Sequence, residues 1–276
     1  MSTQDPIFIQ VGDLADGFAP DSNILMNTAA LIGQQFTLHF ADGTSQHIQI
    51  ENTQTLSWQA SQTTAPVSTP YRATTLRDGI YFLDFISPIQ AASTITLVIN
   101  QHQQSAVMVV GQLPTEAETR IDMFSRVEKN LPLTPVTTQI SFATFNRPFT
   151  NDDQLPTFTQ ELIGQRVMYT YSKTERYEHV YLNDHFYAWQ CLDGVEKGLA
   201  DVDRCHYIKV SDLLYLFVWQ EKIVPTLGVV MVDLQRLKTD GKIVGYRGND
   251  FGELSNFPVG AIAQPLNKTI HPAIAS

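Results

Sequence analysis

The stretch Tyr177-Glu178-His179-Val180-Tyr181-Leu182-Asn183-Asp184-His185-Phe186-Tyr187-Ala188-Trp189-Gln190-Cys191 decides the fold. Its ring-bearing residues fall on every second position: Tyr177, His179 and Tyr181, then Tyr187 and Trp189, with Cys191 closing the row. Period two belongs to a strand with one face turned inward, because successive side chains of a strand point to opposite sides. Alternation of the same kind runs through Val167–Tyr171 and Leu213–Glu221, and earlier through Gln35–Phe40 and Gln46–Ile50. Tight hairpin turns are expected at Ala41-Asp42-Gly43-Thr44 and Thr239-Asp240-Gly241-Lys242. Strands joined in this way form meanders, and about seven or eight of them in roughly 95 residues close into a small barrel that leaves no free edge.

The pattern occurs twice. Leu31-Ile32-Gly33-Gln34 returns as Leu162-Ile163-Gly164-Gln165, Trp58-Gln59 as Trp189-Gln190, and Asn52 as Asn183, each at an offset of 131. Asp78-Gly79-Ile80-Tyr81-Phe82-Leu83 aligns with Asp212-Leu213-Leu214-Tyr215-Leu216-Phe217 at an offset of 134. One small insertion therefore separates two collinear halves, and the prediction is an all-β chain of two tandem antiparallel barrels from an internal duplication. A helix joins them: Thr115 and Glu118 form a capping box, Ala117, Ile121, Phe124 and Val127 follow at helical spacing, and Asn130-Leu131-Pro132 end it. The segment Phe145–Phe158 reads as a loop packed down by its aromatic residues. The expected division is residues 22–112 for a mainly structural barrel, 113–157 for the helix and connecting segment, and 158–264 for the barrel carrying the site.

Composition removes several classes of function. The 276 residues include 15 Phe, 10 Tyr and 3 Trp, enough for sizeable cores, and only 17% are charged, which excludes wholesale disorder. Eighteen basic against 28 acidic residues give a net charge of −10, with no basic cluster for tracking phosphates, so nucleic acid is not an expected partner. No apolar run reaches the roughly 18 residues of a membrane helix, so no membrane partner is expected. Met1–Pro6 lack the features of a secretory signal, and two cysteines make no disulfide framework; a cytoplasmic location is expected. There is no Gly-x-Ser-x-Gly elbow, no P-loop and no dinucleotide fingerprint, and no cofactor is called for. A homodimer is allowed by the sequence and not specified by it.

Parity assigns the faces of the second barrel. Val167, Tyr169, Tyr171, Tyr177, His179, Tyr181, Tyr187, Trp189, Cys191, Tyr215, Phe217, Trp219 and Glu221 are all odd, and they are expected to line the lumen. The even face carries Arg166, Thr170, Glu178, Gln190 and Gln220 among Met168, Val180, Leu216 and Val218. The repeat supplies an internal control. Tyr169 falls on Leu38, Tyr171 on Phe40, His179 on Ile48, Tyr181 on Ile50, Tyr187 on Leu56, Cys191 on Ala60 and Glu221 on Ser87. Burying a hydroxyl without a partner costs on the order of 1–3 kcal/mol, so stability alone favours the carbon-rich first set. The polar second set points to a ligand; the alternative is a tyrosine core bonded to itself. Glu221 is either a proton-transfer group or a rim carboxylate paired with Lys222 or Arg204, and His179 either a site base or a core histidine. Cys191, Cys205, His206 and His185 lack zinc-ligand spacing, so no metal is predicted, and Asp201 and Asp203 read as a solvated loop or a seat for a cation.

Tyr169-Thr170-Tyr171-Ser172, Tyr177-Glu178-His179-Val180-Tyr181-Leu182-Asn183, Trp189-Gln190-Cys191-Leu192, Glu196-Lys197-Gly198-Leu199-Ala200-Asp201 and Trp219-Gln220-Glu221-Lys222-Ile223-Val224-Pro225-Thr226 resemble the MoaF family, labelled molybdenum cofactor biosynthesis protein F. The resemblance covers nearly the whole chain and implies an N-terminal and a C-terminal domain of lipocalin/calycin-like form. No pterin- or molybdate-binding pattern is legible in the chain. Residues Leu162 to Asp233 are also distantly similar to the phenolic acid decarboxylases, single lipocalin-like barrels that need no cofactor. That similarity implies that Tyr169 and Tyr171 match tyrosines holding a substrate carboxylate and that Glu221 matches a proton-donating glutamate. The essential arginine of that family aligns with Leu199, a departure that removes the bidentate carboxylate partner.

Two functions follow as expectations. The first is a small-molecule-binding protein whose second barrel holds an aromatic or amine-type metabolite through His179, Tyr181, Tyr187, Trp189, Cys191, Tyr215, Phe217 and Trp219. The second is a cofactor-independent lyase or isomerase in which Tyr169 and Tyr171 orient the substrate and Glu221 moves the proton.

Overall fold

A computed structural model describes residues 5–19 and 22–272 and shows two antiparallel β-sheets, each rolled around its own core. A short helix, α1 (Val11–Phe18), precedes the first sheet. That sheet comprises β1 (Gln35–Phe40), β2 (Ser45–Ile50), β3 (Thr55–Gln59), β4 (Val67–Pro70), β5 (Arg72–Arg77), β6 (Ile80–Ile86), β7 (Ser93–Asn100), β8 (Ser105–Gln112) and β9 (Thr137–Phe145). Helices α2 (Glu116–Thr119) and α3 (Met123–Glu128) lie between β8 and β9. The second sheet comprises β10 (Thr157–Phe158), β11 (Gln165–Thr170), β12 (Arg176–Tyr181), β13 (Phe186–Asp193), β14 (Ala200–Ser211), β15 (Leu214–Glu221), β16 (Thr226–Asp233), β17 (Lys238–Tyr246) and β18 (Leu254–Lys268). The strands expected from alternation are present, their ends moved by a residue or two. No helix among the described residues is long and apolar enough to cross a membrane.

Duplication shows in the closure of the two sheets. In the second, the long strand β14 pairs with β13 through its first half and with β15 through its second, closing a ring of eight strands with β10 outside it. In the first, the ladder runs from β4 round to β5, and these two are successive in the chain with only Tyr71 between them. They correspond to β14 broken at Pro70, whose ring removes a ladder donor and bends the strand. The control positions Leu38, Phe40, Ile48, Ile50 and Leu56 are buried in the apolar core of the first barrel, with Trp58, Leu83 and Phe85.

The barrels pack against each other through their outward faces, carried by even-numbered residues on β6, β7 and β15 and by odd-numbered ones on β8 and β16. Leu214, Leu216 and Val218 of β15 and Leu227, Val229 and Met231 of β16 meet Ile80, Phe82, Val98, Val107 and Val109 of the first barrel. At Gly111 a Cβ would stand 2.0 Å from a methyl carbon of Leu227, so the bare backbone there is what lets the sheets approach. Among the described residues three ion pairs cross the interface: Arg72 with Asp240 at 2.8 Å, Arg77 with Asp233 at 2.7 Å, and Lys242 with Asp84 at 2.7 Å.

Three expectations need correction. Thr239-Asp240-Gly241-Lys242 is not a turn; it lies inside β17, paired with Val229–Val232, and the chain turns at residues 234–237 instead. Asp240 is held in the sheet by the Arg72 guanidinium, and Gly241 sits where a Cβ would come 2.2 Å from the Val229 carbonyl oxygen. The single helix after Thr115 is two short ones. Its Thr115/Glu118 capping box is formed, but the run breaks at residues 120–122, where Asp122 caps a second helix by accepting from the Ser125 amide. Phe124 and Val127, expected at helical spacing along it, are 72% and 61% exposed. Finally, β9 falls within the proposed connecting segment 113–157 yet pairs with both β8 and β1, so it completes the first barrel.

Candidate functional site

The odd face of the second barrel does point inward. Tyr169, Tyr171, Tyr177, Tyr181, Tyr187, Trp189, Cys191, Tyr215, Phe217 and Trp219 share one buried cluster with Val167, and His179 is buried among them. Ladder register stacks these residues in rows: Tyr177 opposite Tyr169 and Cys191, His179 opposite Val167 and Trp189, Tyr181 opposite Tyr187. Trp219 lies across Gly228, where a Cβ would be 2.1 Å from the indole, so glycine on β16 makes the room its ring needs.

Within that cluster the polar groups separate into two sets. In the first, hydroxyls are satisfied by protein. Tyr169 and Tyr181 share a hydrogen bond of 2.6 Å, and Tyr215 donates to Glu161 Oε2 at 2.7 Å. Phe217 stacks between Tyr207 and Trp219, and Cys191 is buried with its thiol near the Asp193 carbonyl. These five residues, Tyr169, Tyr181, Cys191, Tyr215 and Phe217, lie outside the lining of the residual cavity, so the structure parts Tyr169 from Tyr171. The self-bonded tyrosine core is real at this end of the barrel.

The second set faces a cavity of about 30 Å³ lined by Tyr171, Tyr177, His179, Tyr187, Trp189, Glu196, Trp219, Glu221 and Ile243, with Leu14 and Phe18 of α1 across its mouth. Among the described residues, the hydroxyls of Tyr171 and Tyr187 and the Nδ1 of His179 have no hydrogen-bond partner. Glu221 is not paired with Lys222 or Arg204; it accepts from Trp219 Nε1 at 2.9 Å. Tyr177 donates to Glu196 Oε2 at 3.0 Å, and Trp189 donates to Asp203 Oδ2 at 2.9 Å. Asp203 belongs to β14, not to a solvated loop, and Lys222 spans it and Asp201.

The electrostatics of this end are one-sided. Burial raises the carboxyl of Glu221 well above the ordinary range, and the neighbouring charges of Asp203 and Glu196 push it the same way. Burial likewise raises Glu196, against the Tyr177 hydrogen bond, and raises Asp203, against its bonds from Trp189 and Lys222. Burial also lifts Glu175 to about 7, helped by Glu196 and Asp193 and opposed by the Val195 amide. Among the described residues no lysine or arginine lines the cavity. The chamber is therefore a ring-walled space whose acids are costly to charge. Among the described residues no three His, Cys, Asp or Glu side chains converge as a metal set.

His179 is pulled down to about 3 by burial and stays neutral at ordinary pH. In the unfolded chain it protonates near 6.5, so the folded state binds fewer protons between those values. Its contribution is complete above about pH 6.5 and is lost as pH falls toward 3. Thermal unfolding midpoints are expected to fall more steeply between pH 6.5 and 4 in the parent than in His179→Phe; equal slopes contradict this.

The candidates Tyr171, His179, Tyr187, Trp189, Trp219 and Glu221 thus come together. Sequence reasoning missed α1, Glu196 and Ile243 as parts of the site. The signal for α1 was present in Val11, Leu14 and Phe18, spaced three and four apart as on one helical face.

Comparison with known proteins bears on the whole chain. Residues 6–115 match the MoaF N-terminal domain, and residues 156–269 match the MoaF C-terminal domain. Over 269 residues the chain is 53% identical to Protein MoaF of Klebsiella aerogenes, an alignment spanning 98% of this chain and 99% of that one. A solved beta-lactamase candidate from Burkholderia vietnamiensis aligns over 40% of this chain and 100% of its own, with a TM-score of 0.34 and 14% identity, a likeness too slight to bear on fold or function.

Proposed function

This chain belongs to the MoaF family, and from that premise we propose that it is a small-molecule-binding double-barrel protein whose C-terminal chamber takes an aromatic metabolite bearing an amine. The observation that carries the reading is the pairing of unpartnered lumen groups with acids. Tyr171, Tyr187 and His179 present free polar atoms beside Glu196 and Glu221, and the duplicate positions in the first barrel are carbon. An ammonium placed there gains two carboxylates and the faces of Trp189, Trp219 and the tyrosines, the arrangement that recognises organic cations. Leu199 is buried and apolar at the position that the decarboxylase resemblance aligns with an arginine, which supports binding over carboxylate chemistry.

The test uses a matched pair of probes, 2-phenylethylamine and 3-phenylpropionate, which share a ring and differ in charge. The amine is expected to raise the unfolding midpoint and to titrate calorimetrically, and the carboxylate to do neither. Equal response to both probes, or response to the carboxylate alone, contradicts the proposal. Tyr171→Phe is expected to weaken amine binding several-fold while folding stability changes by less than about 1.5 kcal/mol, because its hydroxyl bonds nothing in the protein. A larger stability loss returns Tyr171 to the self-bonded core.

A further inference from the structure

The chamber holds about 30 Å³, close to the volume of a single water, whereas a cavity that admits benzene measures about 150 Å³. Helix α1 lies against this space. Val11, Leu14 and Phe18 are buried in the same cluster as the chamber tyrosines, Phe18 at 3% exposure. The Phe18 ring meets Tyr171 edge-on at 4.9 Å, with Tyr177 at 5.7 Å and Phe257 at 6.0 Å. Leu14 and Phe18 line the same residual space as Glu196 and Glu221.

The helix is poorly built to stand by itself. Gln10 offers no side-chain cap, the last turn has no basic residue, and two of its eight positions, Gly12 and Gly17, are glycine. Helices this short do not persist in water, so α1 exists because it is docked. The docking is close: the Gly12 amide donates to the Arg247 carbonyl at 3.1 Å, and a Cβ on Gly245 would stand 2.4 Å from a methyl of Val11.

We infer that Phe18 is an internal occupant of the chamber's ring slot, displaced together with α1 when an aromatic amine enters. The incoming ring then takes the place beside Tyr171, Tyr177 and Phe257, and its ammonium faces Glu196 and Glu221. This rests on the ligand reading above and adds that the ligand must carry a ring able to replace that of phenylalanine. Apparent affinity is lowered by the fraction of molecules in which α1 remains docked.

Two variants of the full chain test it. Phe18→Ala empties the slot and leaves the helix. Gly17→Cys with Val195→Cys staples α1 in place, since a Cβ on Gly17 lies 3.3 Å from that of Val195, near the roughly 3.8 Å of a disulfide. Burial raises the native thiols Cys191 and Cys205 to about 11 and about 12, which keeps them out of the exchange. With 2-phenylethylamine as titrant, Phe18→Ala is expected to bind at least tenfold more tightly than the parent. The oxidised staple is expected not to bind and to recover on reduction, and hydrogen exchange of residues 11–18 in the parent should accelerate when the amine is added. If the oxidised and reduced staple bind alike and exchange at 11–18 slows with amine, the Phe18 proposal is overturned while the ligand reading stands. If parent, Phe18→Ala and reduced staple all fail to bind, the ligand reading falls and takes this one with it. Should Phe18→Ala fail to fold, the staple and the exchange measurement decide.

Discussion

Asp84→Ala is expected to lower the unfolding free energy by about 3–5 kcal/mol. The reason lies in the barrel interface. Lys242 is 2% exposed, and its ammonium sits 2.7 Å from Asp84 Oδ1. Asp84 also accepts from Thr96 Oγ1 at 2.9 Å and from Asn256 Nδ2 at 2.8 Å. Removing the carboxylate leaves an almost fully buried ammonium without its counter-charge. Burial already depresses Lys242, and Asp84 is what opposes that depression. In Asp84→Ala the folded lysine therefore prefers to be neutral while the unfolded one stays charged up to its ordinary value. The folded state binds fewer protons, so the deficit shrinks as pH rises toward 10. Asp84→Leu combined with Lys242→Met replaces both charges with carbon and is expected to recover most of the loss, since a buried pair is often matched by apolar packing. Urea unfolding of the three proteins at pH 7 and pH 10 measures all of this. A loss below about 1 kcal/mol for Asp84→Ala removes the pair from the account of how the barrels are joined.

Glu221→Gln carries the second large effect, on binding. The carboxyl lies in the lumen beside Trp219 and is raised well above its ordinary range in the free protein by burial and by Asp203 and Glu196. An arriving ammonium favours the ionised form, so binding expels a proton from this group, and affinity rises with pH until the amine itself loses its charge. Replacing the acid with an amide of the same shape deletes a charge-assisted bond of about 1.5–3 kcal/mol, which is roughly a 10- to 150-fold loss of affinity. Titrations in buffers of different ionisation enthalpy are expected to show less proton release in Glu221→Gln than in the parent. Unchanged affinity and unchanged proton release place Glu221 outside the site. Folding of Glu221→Gln is expected to be no weaker than that of the parent, because a neutral amide avoids the penalty of charging a buried acid.

The strands were legible because alternation is a local property: the register that sets Tyr177 against Cys191 is already implied by their parity. The contrast between barrels was legible for the same reason, since the repeat lets Ile48 be compared with His179 position by position. What escaped were features set by contact over long separations. Asp240-Gly241 carries a strong turn signal, yet Arg72 from the other barrel and the tight crossing at Val229 hold it in a strand. Ile121, Phe124 and Val127 have the spacing of a buried stripe, but the Asp122 cap starts a new helix between them and Phe124 lies in solvent. Strand β9 looked like connecting chain because its two partners, β1 and β8, are known only once the sheet is closed. Helix α1 was hidden by its glycines, which weaken any helical reading although its apolar spacing is regular.

The site was legible in outline and not in depth. Parity places thirteen side chains on one wall, but a barrel of eight strands is narrow, and its lower end fills with Tyr169, Tyr181, Tyr215 and Phe217 bonded or stacked among themselves. Which odd residues stay free is decided by who finds a partner, and Glu161 and Tyr181 find theirs by geometry that no spacing rule contains. Glu196 enters from the turn before β14, where period two no longer applies.

The central claim is that the lumen of the second barrel, and no other surface, receives an organic cation with an aromatic ring. A crystal structure of the full chain grown with 2-phenylethylamine measures it most directly. The account predicts the ring beside Tyr171 and Tyr177 with the nitrogen within hydrogen-bond reach of Glu196 or Glu221. Amine bound only outside that barrel, with the chamber still closed over Glu221, contradicts it.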